Sequence, residues 1–277
     1  MRIWHQSFTD LDAFPLYRET LDAHARRVMQ GRAEVVVHGL RPGTYPPGIA
    51  PMDINSIAGL RLFGDTQVCE AALAAQQAGY DAVAVGCFFD PALQAARSLV
   101  DIPVVSLTES CMLTACSLGR KFAMVSVTPF QRMLTEDLAT AYGLRERMAG
   151  VVAMSPAVKL FDLERAEAAP AIIESFKRAC EQALALGAEV IVAGDGVLNE
   201  FLVRHEVLRV DGAVVLDSLG VLFHHAEFLA RGKAAGVLDV SRRQLYAQPT
   251  QEMLAHTRKF GGVLQRDEAE FSGRPKR

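Results

Sequence analysis

Half of the 277 residues are apolar, 22% are charged and the net charge is −3, which gives enough chain for two α/β lobes and no charge excess to attract a nucleic acid. The apolar runs end at strand length, short of the roughly 18 residues of a membrane helix, and the start MRIWHQSFTD lacks the basic head and apolar stretch of a signal peptide. Five cysteines (Cys69, Cys87, Cys111, Cys116, Cys180), odd in number and without a CxxC or CxxH pair, point to reduced thiols in the cytoplasm rather than to disulfides or a zinc site.

Short β-branched runs at 34–38, 82–85, 104–107, 123–127, 190–193 and 213–216 predict strands, with one more at the N-terminus ahead of His5. Apolar residues at helical spacing predict helices over 65–78, 129–142 and 170–186. The stretch 41–55, with four prolines and two glycines, reads as a long functional loop, and the polar end beyond Gly261 as a loose tail. Strand, loop and helix in alternation predict an α/β fold of two similar lobes, each a mainly parallel sheet flanked by helices, with the site in the cleft between them. The expected division puts residues 1–115 plus 212–277 in one lobe and 116–211 in the other.

Two segments share a plan. AGYDAVAVGCFFDPAL (78–93) and LGAEVIVAGDGVLNEF (186–201) each run from a helix ending at Gly, through an acidic residue and a four-residue apolar strand, to Gly and one reactive residue. Cys87 and Asp195 thereby stand at carboxyl ends of parallel strands, where open α/β sheets bind ligands.

The run DAVAVGCFFDPALQAARSLVDIPVVSLTES (81–110) resembles the first catalytic segment of the aspartate/glutamate/hydantoin racemase superfamily. RKFAMVSVTPFQRMLTEDLATAYGL (120–144), GAEVIVAGDGVLN (187–199) and DGAVVLDSLGVLFHHAEFL (211–229) are similar to its later segments in the same order. The resemblance implies that Cys87 is the first catalytic cysteine. Where the family carries a second, this chain has Asp195 between Gly194 and Gly196. It also implies substrate contacts for Thr128, otherwise a helix N-cap before Pro129, and for the loop holding His5, Gln6 and Ser7.

A thiol attacks or takes a proton as thiolate, and the amides of Phe88 and Phe89 at a helix start are expected to lower its pKa and to hold a substrate carboxylate or oxyanion. A carboxylic acid of pKa about 4 and a thiol of about 8.5 are poorly matched for symmetrical proton transfer, so the pair is expected to favour one-sided chemistry: hydrolysis, desulfuration of a thiohydantoin by a desulfhydrase, or lyase cleavage. Two readings stay open beside it: a hydantoin or amino-acid racemase with an unequal Cys87/Asp195 pair, and a binding protein whose chemistry is dead. Glu109 and Ser110, after the strand at 104–107, and the flanking Gly194 and Gly196 complete the expected substrate-binding set; Asp90 is expected to cap the helix after Cys87. No metal, nucleotide or other cofactor is implied, since GDG completes no GxGxxG or P-loop and His224 and His225 lack partners at metal spacing. The expected partners are a small molecule bearing a carboxylate or imide and further copies of the chain, with neither nucleic acid nor membrane.

Overall fold

The computed structural model describes residues 1–260; the expected tail beyond Gly261 lies outside the described residues. Strands β1 (Arg2–Ser7), β2 (Glu34–His38), β3 (Ala82–Gly86) and β4 (Val104–Ser106) form a first sheet in the order β2-β1-β3-β4, parallel throughout. Strands β5 (Phe122–Ser126), β6 (Met148–Ala153), β7 (Val190–Ala193), β8 (Arg209–Val210) and β9 (Ala213–Leu216) form a second, in the order β6-β5-β7-β9-β8, with only the β8–β9 edge pair antiparallel. Every residue of β3, β5 and β7 is buried, because helices cover both faces of each sheet.

The helices are α1 (Pro15–Met29), α2 (Pro51–Asn55), α3 (Ala58–Gln77), α4 (Leu93–Leu99), α5 (Leu107–Leu118), α6 (Gln131–Ala141), α7 (Ala169–Ala185), α8 (Gly196–Arg204), α9 (Ser218–Ala234) and α10 (Gln251–Phe260). Helices α1, α5 and α9 pack between the sheets: α9 lies against β1, β3 and β4, α1 against α8, and α5 against β5 and β7. Alternation along the strands divides the core, for Ile3, Ala82 and Ala84 join the large cluster shared with the second sheet while Trp4, Val83 and Val85 face the cluster under α3.

Four expectations need correction. The stretch 41–55 is not loop throughout, since Pro51 opens the helical turn α2, its fixed φ suiting the first helical position, and α3 begins at Ala58, seven residues before the predicted start at 65. Strand β9 pairs with β7, and the register Val190↔Val214 holds it in the second sheet, so the expected return at 212 comes only after Leu216; α9 and the segment after it, where Arg242 bonds Val100 O and Asp101, lie with the first lobe. His5 lies inside β1 rather than after it.

Candidate active site

The carboxyl ends of β3 and β7 meet. A Cβ on Gly196 would stand 3.5 Å from the Gly86 carbonyl oxygen and 3.3 Å from the Tyr17 hydroxyl, so the two loops touch with little between them. Beside this contact lies a cavity of about 440 Å3, counted to its open mouth, lined by Cys87 and Asp195 together with Phe88, Phe89, Tyr17, Asn55 and Gln131. Only about 40 Å3 of it is open to the centre of a water-sized sphere, so the enclosed part is small.

Cys87 follows Gly86, a position only glycine fills, since a Cβ there would lie 2.2 Å from Cε1 of His5. Burial pushes the Cys87 thiol well above its ordinary range; the Phe89 amide pulls it back, and the carboxylates of Asp90, Asp195 and Asp65 push it further up. The expected lowering by a helix start is therefore wrong. The next helix begins only at Leu93, and one amide does not outweigh dehydration and three nearby acids. Cys87 rests as a neutral thiol.

Asp195 is the N-cap of α8: its Oδ1 accepts from the amides of Val197 at 2.8 Å and Leu198 at 3.0 Å. Burial raises its pKa above the ordinary carboxylate value and those two amides pull against it. Its Oδ2 makes no hydrogen bond among the described residues, which leaves one oxygen of a buried, cavity-lining carboxyl free to exchange a proton.

Of the expected site residues, Phe88, Phe89 and Gly196 line the cavity with Cys87 and Asp195, and the others do not. His5 is fully buried, its ring edge-on to Phe223 and both nitrogens without partners; burial, then the neighbouring His38, lowers its pKa to about 3. Gln6 is turned to the outer core, where its Oε1 accepts from Trp4 Nε1 at 3.0 Å. Glu109 is held by Arg97, whose Nη1 donates to Oε1 at 3.1 Å, and Ser110 is buried with its Oγ 2.8 Å from His225 Nδ1. Thr128 caps no helix: α6 starts at Gln131 without a side-chain cap, and the Thr128 hydroxyl has no partner. Gly194 is packed under Met124, where a Cβ would meet Cγ at 2.7 Å, and its amide donates to Val125 O. Asp90 caps α5 rather than the helix after Cys87, accepting from the amides of Thr108 at 2.9 Å and Glu109 at 3.0 Å and from the Tyr142 hydroxyl.

Sequence reasoning missed Tyr17, Asn55 and Gln131. Tyr17 reaches the cavity because Glu164, from the other lobe, accepts from the amides of Leu16 at 2.8 Å and Tyr17 at 2.9 Å and so caps α1. Asn55 arrives on α2, whose opening Pro51 was the available signal. Among the described residues no group of three or more His, Cys, Asp or Glu is arranged to hold a metal ion, and no helix is long and apolar enough to cross a membrane.

The family described as Asp/Glu/Hydantoin racemase matches residues 16–226. The chain is 32% identical to the hydantoin racemase of Pseudomonas sp. (strain NS671) over 126 residues, 46% of this chain and about half (49%) of that protein, and 29% identical to that of Paenarthrobacter aurescens over 62% of this chain and 69% of that one. Among solved structures it is similar to allantoin racemase from Klebsiella pneumoniae (TM-score 0.73, 25% identity, 91% of this chain and 94% of that one). The allantoin racemase from Pseudomonas fluorescens is alike to the same degree (TM-score 0.71, 26% identity, 90% and 97%). These relatives are racemases, which overturns the expectation of hydrolytic, desulfhydrase or lyase chemistry. That expectation rested on the free pKa values of a thiol and a carboxyl, which burial changes for both groups. From residue 16 to 226, and in the facing ends of its two sheets, the chain belongs to the Asp/Glu/hydantoin racemase family.

Proposed function

We propose that this chain racemises a small, uncharged ring of the hydantoin or allantoin type, inverting the carbon between a ring carbonyl and a ring nitrogen. The observation that carries the reading is that Cys87 and Asp195, borne by different sheets, line one cavity. In one direction the Asp195 carboxylate takes the proton from one face of that carbon, and the electron pair left behind spreads into the adjacent carbonyl. The Cys87 thiol then gives its proton to the opposite face. Asp195 has gained a proton and Cys87 has lost one, so the opposite enantiomer is the substrate of this product form; exchange with water returns the pair to its resting state.

The lining also speaks to substrate charge. Among the described residues it contains no Lys, Arg or His, while Asp195 contributes a carboxyl group, so a free amino-acid carboxylate would enter beside an acid with no cation in the lining to receive it. A ring whose carbonyl groups acidify the carbon without bearing charge avoids that cost. The chemistry requires Cys87 to stay reduced, which accords with the cytoplasmic location inferred from the cysteine set.

The test is to incubate enantiopure 5-substituted hydantoins, allantoin, aspartate and glutamate with the protein in D2O, following optical rotation and deuterium at the stereocentre. Loss of rotation with deuterium gain on a neutral ring is expected. Turnover of the amino acids alone, or exchange in none of the four, would refute the reading.

A further inference from the structure

Gln131 is 2% exposed and lines the cavity, yet its amide is spent on the protein. Its Oε1 accepts from the amides of Val127 at 3.0 Å and Thr128 at 3.4 Å, and its Nε2 donates to the Gly194 carbonyl at 2.9 Å. One side chain therefore ties the turn after β5 to the turn after β7. The Gly194 carbonyl belongs to the peptide unit that leads into Asp195, and the same residue's amide is held by Val125 O. Gly194 is thus fixed on both sides, one residue before the carboxyl whose Oδ1 caps α8 and whose Oδ2 is free.

We propose that Gln131 is the positioning residue for Asp195: its bond to the Gly194 carbonyl sets the peptide plane that aims the free carboxylate oxygen into the cavity. The role in turnover rests on the racemase reading, but the geometric claim does not. Without the bond, the peptide ahead of Asp195 can rotate, and the cap and the proton-transferring oxygen move together. The requirement is for a donor toward Gly194 and an acceptor toward Val127 at one time. A glutamine supplies both, as does a protonated glutamic acid; an ionised one supplies only the acceptor, and methionine no donor and only a weak acceptor.

The experiment compares wild type, Gln131→Met and Gln131→Glu. In Gln131→Met, kcat for ring racemisation is expected to fall by ~10²-fold, the cost of a misplacement of about 1 Å, while KM changes by less than about threefold and the alkylation rate of Cys87 stays at the wild-type value. In Gln131→Glu, activity relative to wild type at the same pH should recover as pH falls and the introduced carboxyl regains a proton, a signature that mere packing would not give. Amide hydrogen exchange in the peptide containing Val197 and Leu198 should quicken by ~10-fold or more in Gln131→Met, with the strands unchanged. This last readout needs no turnover: if the wild type is inert on every ring, the racemase reading falls while the exchange data still decide the role of Gln131. Unchanged exchange at Val197 and Leu198, or exchange raised throughout the molecule, overturns the proposal, as does a Gln131→Met enzyme within twofold of wild type.

Discussion

At the scale of single residues, the same burial acts on Cys87 and Asp195 with consequences for the pH profile. Both groups are raised, Cys87 by burial and then by Asp90, Asp195 and Asp65, and Asp195 by burial against its two amide donors. On the proposed racemase reading, the competent pair in the resting direction is thiol plus carboxylate. Activity is therefore expected to fall on the acid side as Asp195 takes up a proton, above the ordinary carboxylate value of about 4, and on the alkaline side only beyond the ordinary thiol value of about 8.5. A kcat/KM profile with an acid limb below 4 would contradict this. Asp195→Asn separates the two duties of the side chain, because asparagine caps a helix as well as aspartate does but transfers no proton. Its melting temperature should stay close to wild type while racemisation drops by ~10²-fold or more. Because the two enantiomers of a ring with one stereocentre have equal free energy, kcat/KM must be the same in both directions; the inequality of the pair should appear as kcat and KM differing by one common factor.

Between elements, the contact that matters most crosses from one lobe to the other. Glu164 satisfies two amides at the start of α1, which the chain's own N-cap Phe14 leaves open, and thereby presents Tyr17 to the cavity. Glu164→Ala should cost about 1 kcal/mol of stability, measured by chemical denaturation, and raise KM more than it lowers kcat. Neither Glu164 nor the Asp90 cap of α5 was visible in the sequence, since each partner lies far away along the chain: 148 residues from Glu164 to Leu16, and 18 from Asp90 to Thr108. By contrast, α6 and α7 were legible to within two residues, because their apolar spacing is local information.

For the molecule as a whole, two buried histidines pull stability in opposite directions. Burial works against the charge on His24, but hydrogen bonds to Asp217 and Glu200 outweigh it and raise its pKa to about 9. A raised histidine stabilises the fold fully below its unfolded value near 6.5 and loses that contribution as pH climbs to 9. His5 is the reverse: neutral in the fold with a pKa of about 3, it favours the unfolded chain increasingly as pH falls below 6.5, where the unfolded ring takes a proton. Melting temperature should peak near neutrality. His24→Gln should flatten the alkaline decline and His5→Leu the decline between pH 6.5 and 4; thermal scans across pH that keep both slopes in the variants would refute the assignment.

The sequence by itself determined the two-sheet α/β plan, the strand tips at Cys87 and Asp195 and the family, because strand periodicity, Gly and the reactive residue are all written within about a dozen neighbouring positions. The tertiary structure alone decided which polar residues meet at the cavity. His5, inside a strand, and Glu109 and Ser110, just after one, are buried or engaged elsewhere, while Gln131 and Tyr17 are drawn in by bonds to Gly194 and Glu164. It also decided that the thiol stays protonated, since loss of water and the charge of acids from other segments act through space, and no local pattern encodes them.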